Sequence, residues 1–197
     1  KDNFKPYACN VMDFNKLNSI AKEINTPKLI FLNAGIYRPI DSSQNNLDVY
    51  KDHINVNYLG VLNCYEAFLP KMLLSKEGQI IIMSSISGWL GLPKAAAYGP
   101  TKAALRSFGQ SIRYDLNAKG IKVQVCSPGF VETSATSLND FYMPGLMKVD
   151  KAAELIYKNM KSDKFEFSFP LFFSIFMKIF SLLPDKLSSY IIKRNIG

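Results

Sequence analysis

The sequence predicts an α/β fold with a doubly wound parallel sheet. Three observations carry this. Short apolar runs alternate with longer stretches of helical periodicity, the pattern of repeated βαβ units. Two of the runs, "LIFL" (29–32) and "IIIM" (80–83), are continuous rather than alternating, as strands covered on both faces are. Three strands end in polar or glycine-containing turns, and open parallel sheets bind ligands at the carboxyl ends of their strands.

Taken in order, "PYACNV" (6–11) predicts a first strand and "FNKLNSIAKEI" (14–24) a helix after it. The stretch 28–35 predicts a buried strand running into Asn33-Ala34-Gly35. Residues 46–73 carry apolar side chains at helical period. The stretch 78–85 predicts a strand ending at Ser84-Ser85. Residues 96–118 predict a helix, stopped at Lys119-Gly120, and 121–129 a strand stopped by Pro128-Gly129. From about residue 165 the composition shifts to phenylalanine with dispersed cations. The expected organisation is therefore a single α/β domain over 1–165 and an apolar helical extension of it over 166–197.

With 197 residues the chain can bury a full single-domain core. A net charge of +8 points to an anionic partner. Lysine-rich runs interleaved with aromatics are absent, which argues against nucleic acid. One histidine, His53, and three scattered cysteines, Cys9, Cys64 and Cys126, give no metal-ligand spacing. The cysteines read as small buried residues of a reducing compartment, and His53 as structural or solvated.

"AAAYGPTKAALRSF" (95–108) places Tyr98 and Lys102 four residues apart, on one face of a helix. A phenol beside an ammonium is either an ordinary surface pair or an acid–base group whose proton a nearby charge loosens. Spacing alone is weak, because Tyr157 and Lys161 match it too. Context separates them: Tyr98 opens a helix fed by a strand that ends at Ser85, whereas no strand end feeds Tyr157.

On "LNAG" (32–35), "INVNYLG" (54–60), "IIIMSSISG" (80–88), "YGPTK" (98–102) and "CSPGFVET" (126–133), the chain resembles the short-chain dehydrogenase/reductase family from about residue 7 to 135. Its C-terminal part, with "NDFYMPGLM" (139–147) and "FEFSFP" (165–170), is similar to a bacterial-type branch with an aromatic-rich tail. The resemblance implies a Rossmann-like sheet and NAD(P)-linked hydride transfer between a secondary alcohol and a ketone. It assigns Tyr98 as proton donor or acceptor, Lys102 as its charge partner and a ribose ligand, Ser85 as holder of the substrate oxygen, and Asn57 as anchor of a water behind Lys102. Ser85 as a turn hydroxyl and Asn57 as a helix-kink residue are the plainer alternatives. Cofactor contacts carry over to Asn10, Val11, Asn33, Ala34, Gly35, Tyr98, Lys102, Pro128, Gly129, Val131 and Thr133. Asn10 stands near where the family has an aspartate that pairs with adenine. The cofactor is NADP or NAD, with NADP preferred.

The family's opening strand and Thr-Gly-x-x-x-Gly-x-Gly turn do not occur in this sequence, and the expectation is a chain truncated at its N-terminus. Because that strand is central in the family, the sheet is expected to show an unpaired edge. The segment 141–147, which in the family lies over the substrate, and the aromatic tail imply a lipophilic substrate. The alternative is a catalytically inactive Rossmann-like binding or scaffold protein at a membrane. The family also implies a homodimer or homotetramer, paired through helices 46–73 and 96–118. For the apolar run 171–183 three readings stand: a spanning helix, a buried or dimer-contact helix, and an interfacial helix on a membrane. In the interfacial reading the apolar face sinks into lipid, and Lys178, Lys186, Lys193 and Arg194 meet anionic headgroups. The expected location is cytoplasmic, with peripheral contact at the inner face of a membrane.

Overall fold

A computed structural model describes residues 4–195, and their side chains as far as residue 191. Helix α1 (Phe14–Glu23) precedes strand β1 (Leu29–Leu32). A long helical run follows: α2 (Leu47–His53), a π-helical stretch (Ile54–Leu59) and α3 (Gly60–Ser75). Then come β2 (Gly78–Met83), a 3-10 turn (Ile86–Gly88), α4 (Gly99–Asn117) and β3 (Ile121–Pro128). A second 3-10 turn (Thr136–Leu138), α5 (Val149–Met160), β4 (Glu166–Phe169), α6 (Leu171–Phe180) and α7 (Asp185–Asn195) complete the chain.

The four strands lie in the order β1-β2-β3-β4, and every pair is parallel. The expected doubly wound architecture is present. Ile80, Ile82, Val123 and Val125 face α3 and α4, where Val61, Tyr65, Met72, Leu105 and Leu116 cover them. Ile81, Cys126, Phe167 and Phe169 face the other way, against Ala152, Leu155 and Ile156 of α5. Burial on both faces explains the unbroken isoleucine run. Ile80, Ile81 and Ile82 are all 0% exposed, and each such side chain contributes about 1.5–3 kcal/mol of transfer free energy.

Gln124 breaks the apolar pattern of β3 and is fully buried. Its amide donates to the carbonyls of Lys164 at 2.6 Å and Ser162 at 3.0 Å, and its carbonyl accepts from Gln79 at 2.6 Å. These bonds stitch the α5–β4 turn to the sheet and set the start of β4. That strand was not among the expected elements. It lies at the head of the segment read as a helical extension.

Residues 6–11 do not form the expected strand. They have no ladder partner, and the chain turns at Asn10, whose carbonyl accepts from the Asp13 amide at 2.9 Å. Asn63 of α3 holds the Val11 carbonyl at 3.0 Å. A strand exists only where a neighbour takes up its backbone groups, and among the described residues none lies beside this segment. The outer edge of β1 likewise has no strand partner among the described residues. There Leu29 and Phe31 remain 38% and 40% exposed, beside a cavity of about 360 Å³ lined by Phe31, Asn33, Ala34, Val61, Cys64 and Phe68.

The expected stop after the fourth helix occurs at Gly120, whose φ of +78° suits glycine. His53 is fully buried and structural: Nε2 accepts from the Arg38 amide at 3.1 Å, and Nδ1 lies 2.7 Å from the Val49 carbonyl. In the tail, α6 sets Met177 and Phe180 against the body and turns Phe172, Ile175, Phe176 and Ile179 outward. No described helix is long and apolar enough to cross a membrane. The side chains of Lys193 and Arg194 lie outside the described ones.

Candidate active site

Parallel strands bring their carboxyl ends to one edge of the sheet. Here that edge carries Asn33-Ala34-Gly35 after β1, Ser84-Ser85 after β2 and Gly129 after β3. Helix α4 runs back from this edge with Tyr98 at its N-cap and Lys102 one turn in. Pro100 at the start of the helix costs no intrahelical bond.

The loop after β2 lies hard against α4. A Cβ on Gly88 would come 2.8 Å from backbone atoms of Lys102 and Ala103, so only glycine permits this approach. Ser84 adds a bond from its hydroxyl to the Lys102 carbonyl at 2.8 Å. Ser85 is 8% exposed, and its Oγ accepts from the Ser87 amide at 3.2 Å. It is thus the expected turn hydroxyl, and it also donates to Ser87 Oγ at 3.2 Å.

Tyr98 packs edge-on to Tyr37, with ring centroids 5.2 Å apart. Burial pushes its phenol up to about 12, the Ser85 hydroxyl pulls against this, and Tyr37 adds to it. Lys102 is 4% exposed. Its Nζ donates to the Met83 carbonyl at 2.8 Å and lies 5.5 Å from the Tyr98 ring centroid. Burial lowers this ammonium to about 8, and Cys126 below it opposes the drop. The phenol is therefore a firmly held proton donor here, and Lys102 sits over its ring face.

Asn57 is fully buried within the π-helical stretch, a feature common at functional sites. Its Oδ1 accepts from the Ile36 amide at 2.7 Å, and its Nδ2 donates to the Ile36 carbonyl at 2.9 Å and to Thr101 Oγ1 at 3.2 Å. It ties the loop after β1 to α4. A Cβ on Gly35 would come 3.4 Å from Lys102 Nζ and 3.5 Å from Asn57 Oδ1, so these three residues bound one small space. The buried ammonium has three N–H donors and one hydrogen bond among the described residues, to Met83. A sugar hydroxyl fits that chemistry, which is what a nicotinamide ribose offers at Gly35 and Lys102.

The remaining expected cofactor residues are spread around this centre. Asn33 and Ala34 line the groove along β1. Gly129 follows Pro128, and its amide donates to the Phe169 carbonyl at 2.8 Å. Val131 bridges to Met147, and the Thr133 amide is held by Thr136 Oγ1 at 2.9 Å. Val11 sits against α3, its carbonyl held by Asn63 six residues beyond Asn57, and Asn10 Oδ1 accepts from the Met12 amide. The decoy pair differs in burial. Lys161 Nζ lies 4.0 Å from the Tyr157 ring, but Tyr157 is 61% exposed.

Sequence reasoning missed an aromatic wall and a carboxylate. Phe130 stacks on Phe173 at 5.8 Å and meets Phe141 edge-on at 5.9 Å, while Tyr37 donates to Asn139 at 2.9 Å. Asn139 and Phe141 thus bring the start of the segment 139–147 to Tyr37 and to Phe130, which follows the Pro128-Gly129 turn. Glu166, at the head of β4, accepts from Arg106, Trp89 and Ser127. Burial would raise this carboxyl, yet Arg106, with Trp89 and Ser127, holds it below its usual range. Nothing in the spacing of these residues marks them, since all come from different elements.

The carboxyl edge of the parallel sheet thus carries a half-buried tyrosine, a buried lysine and a buried serine together. A family profile described as short chain dehydrogenase matches residues 1–140. An uncharacterized oxidoreductase of Myxococcus xanthus is 31% identical over 172 residues, covering 87% of this chain and 68% of that protein. Estradiol 17-beta-dehydrogenase 2 of Mus musculus is 36% identical over 111 residues, covering 56% of this chain and 29% of that protein. A solved short chain dehydrogenase from Burkholderia cenocepacia, in complex with NADP, matches with a TM-score of 0.84 at 20% identity, over 98% of this chain and 80% of that one. That last likeness speaks for the fold. The chain belongs to the short chain dehydrogenase family.

Proposed function

We propose that the protein is an NAD(P)-dependent oxidoreductase interconverting a secondary alcohol and a ketone on a lipophilic substrate. The observation that carries this is the half-buried Tyr98 packed against the buried Lys102 beside Ser85, with Asn57 and Gly35 bounding the space behind. Nicotinamide, when bound, supplies or takes the hydride. Tyr98 gives its proton to the substrate oxygen, and Ser85 Oγ donates a second hydrogen bond to that oxygen as charge develops. Lys102 holds the ribose with its spare donors. Asn57 keeps the loop after β1 in place. Asn33, Ala34, Gly35, Pro128, Gly129, Val131 and Thr133 form the rest of the cofactor cradle, with Asn10 and Val11 on the adenine side. NADP is the preferred cofactor, in keeping with the +8 charge and a bis-anionic 2′-phosphate.

The lipophilic substrate rests on the wall of Phe130, Phe141, Phe173 and Tyr37 beside Tyr98. A relative named for estradiol has an apolar substrate of the same kind. The outward face of α6, with Leu171 and Phe172 70% and 86% exposed, suits a lipid surface on the cytoplasmic side, and Lys178 of α6 with Lys186 of α7 suits anionic headgroups. Assembly as a homodimer or homotetramer would cover Leu74 of α3 and Tyr114 of α4, which are exposed.

The test is steady-state oxidation of NADPH, beside NADH, by the complete protein with acetophenone or benzophenone. Tyr98→Phe should leave folding and cofactor binding unchanged and lower turnover about 10²-fold or more, while Tyr157→Phe changes nothing. Near-native turnover in Tyr98→Phe would remove the assignment.

A further inference from the structure

Glu166 lies outside the five segments that mark the active site in the sequence, yet its carboxylate bonds Ser127 within one of them and Trp89 and Arg106 just beyond two others. Oε1 accepts from Trp89 Nε1 at 2.9 Å, and Trp89 ends the loop that carries Ser85. Arg106 grips both oxygens, at 2.9 Å from Nε to Oε1 and 2.9 Å from Nη2 to Oε2. Arg106 is one turn beyond Lys102 and two beyond Tyr98, on the same face of α4. Ser127 Oγ donates to Oε1 at 3.0 Å, immediately before the Pro128-Gly129 turn. The side chain of Glu166 is 9% exposed and that of Arg106 is 29% exposed. The carboxylate is nearly dry, and its contacts hold three separate elements at one point.

We infer that Glu166 is a positioning residue for the proposed reaction, a clamp that fixes Ser85, the Tyr98–Lys102 helix and the Pro128-Gly129 turn in mutual register. The inference rests on the oxidoreductase reading for its kinetic consequence but not for its structural one. The carboxylate is suited to the task because it accepts four hydrogen bonds at once, and a planar guanidinium meets it two-pronged. An amide in its place turns one acceptor into a donor and sets it against Trp89, Ser127 or Arg106, all of which donate. A displacement of an ångström at Ser85 or Tyr98 costs far more in rate than in binding.

Trp89 is the sole tryptophan of the chain, so its emission reports the clamp directly. The experiment compares the complete protein with Glu166→Gln, and with Arg106→Lys, which keeps the charge and loses the fork. Hydrogen exchange should rise about tenfold or more in residues 84–89, 99–102 and 127–129 of Glu166→Gln, with no change in α1 and β1, and Trp89 emission should shift. With acetophenone and NADPH, kcat should fall about tenfold. Arg106→Lys should show the same changes at smaller size. Exchange and emission like the parent's would overturn the clamp, as would an even rise across the chain, which marks general loss of stability. A parent that turns over no ketone, with the local exchange pattern present, would sink the oxidoreductase reading and leave the clamp standing.

Discussion

Lys102 shows how one residue sets function against stability. Its ammonium is buried at 4% exposure and lowered from 10.5 to about 8, chiefly by desolvation. The unfolded chain keeps this proton up to 10.5, whereas the folded chain releases it near 8. Between those values the unfolded state binds more protons, so this group makes stability rise with pH. Below 8 the folded state carries the cost of a buried charge, on the order of 3 kcal/mol. Lys102→Met is therefore expected to melt at the same temperature as the parent or higher at pH 7, and to lose turnover. A melting point lower by more than about 5 °C, roughly 1–2 kcal/mol in a domain of this size, would show that Lys102 is a net stabiliser. Ketone reduction that needs the charged ammonium should decline with an apparent midpoint near 8. A rate profile flat beyond pH 10 would contradict the burial argument.

At the scale of elements, the loop after β2 and helix α4 depend on a contact that only glycine permits. With a Cβ at Gly88 2.8 Å from the backbone of Lys102 and Ala103, Gly88→Ala has to push the loop off the helix. Overpacking of this kind costs about 1–3 kcal/mol, and here the displaced loop bears Ser85. Turnover should fall together with the melting temperature, and unchanged values for both would show that the loop has slack. Helix α6 has apolar side chains on both faces. Met177 and Phe180 satisfy the inner face, whereas Phe172 and Ile179 are 86% and 59% exposed. Flotation with anionic vesicles at low salt should carry the complete protein, and Phe172→Glu with Ile179→Glu should abolish flotation without altering the fold. If the parent stays in the soluble fraction, the membrane surface is to be abandoned.

At the scale of the whole molecule, two apolar surfaces compete for partners. One is the helix surface with Leu74 and Tyr114, 85% and 67% exposed; the other is the unpaired edge of β1 with Phe31. Light scattering at micromolar concentration should give a dimer or tetramer mass from the 22.2 kDa chain. Phe31→Lys separates the two surfaces, because a lysine on an exposed edge blocks strand-to-strand association and leaves helix pairing intact. A monomer in the parent would refute assembly, and a monomer produced by Phe31→Lys would move the contact to the sheet edge.

The sequence alone determined the alternation of strands and helices, the turns at the strand ends and the Ser85, Tyr98 and Lys102 constellation. Periodicity and local spacing are encoded within a few residues, and a helix places i and i+4 side by side whatever surrounds it. Even so, local pattern misread residues 6–11, because a strand also needs a neighbour that the sequence cannot supply by itself. Tertiary structure decided the rest. It brought Glu166 to Arg106 across 60 residues and to Trp89 across 77, and set Phe130 between Phe141 and Phe173. It also desolvated the Tyr98 phenol, which holds its proton more firmly than a tyrosine in water does. Desolvation depends on everything packed around a group, and long-range pairs leave no periodic trace, so neither could be read along the chain.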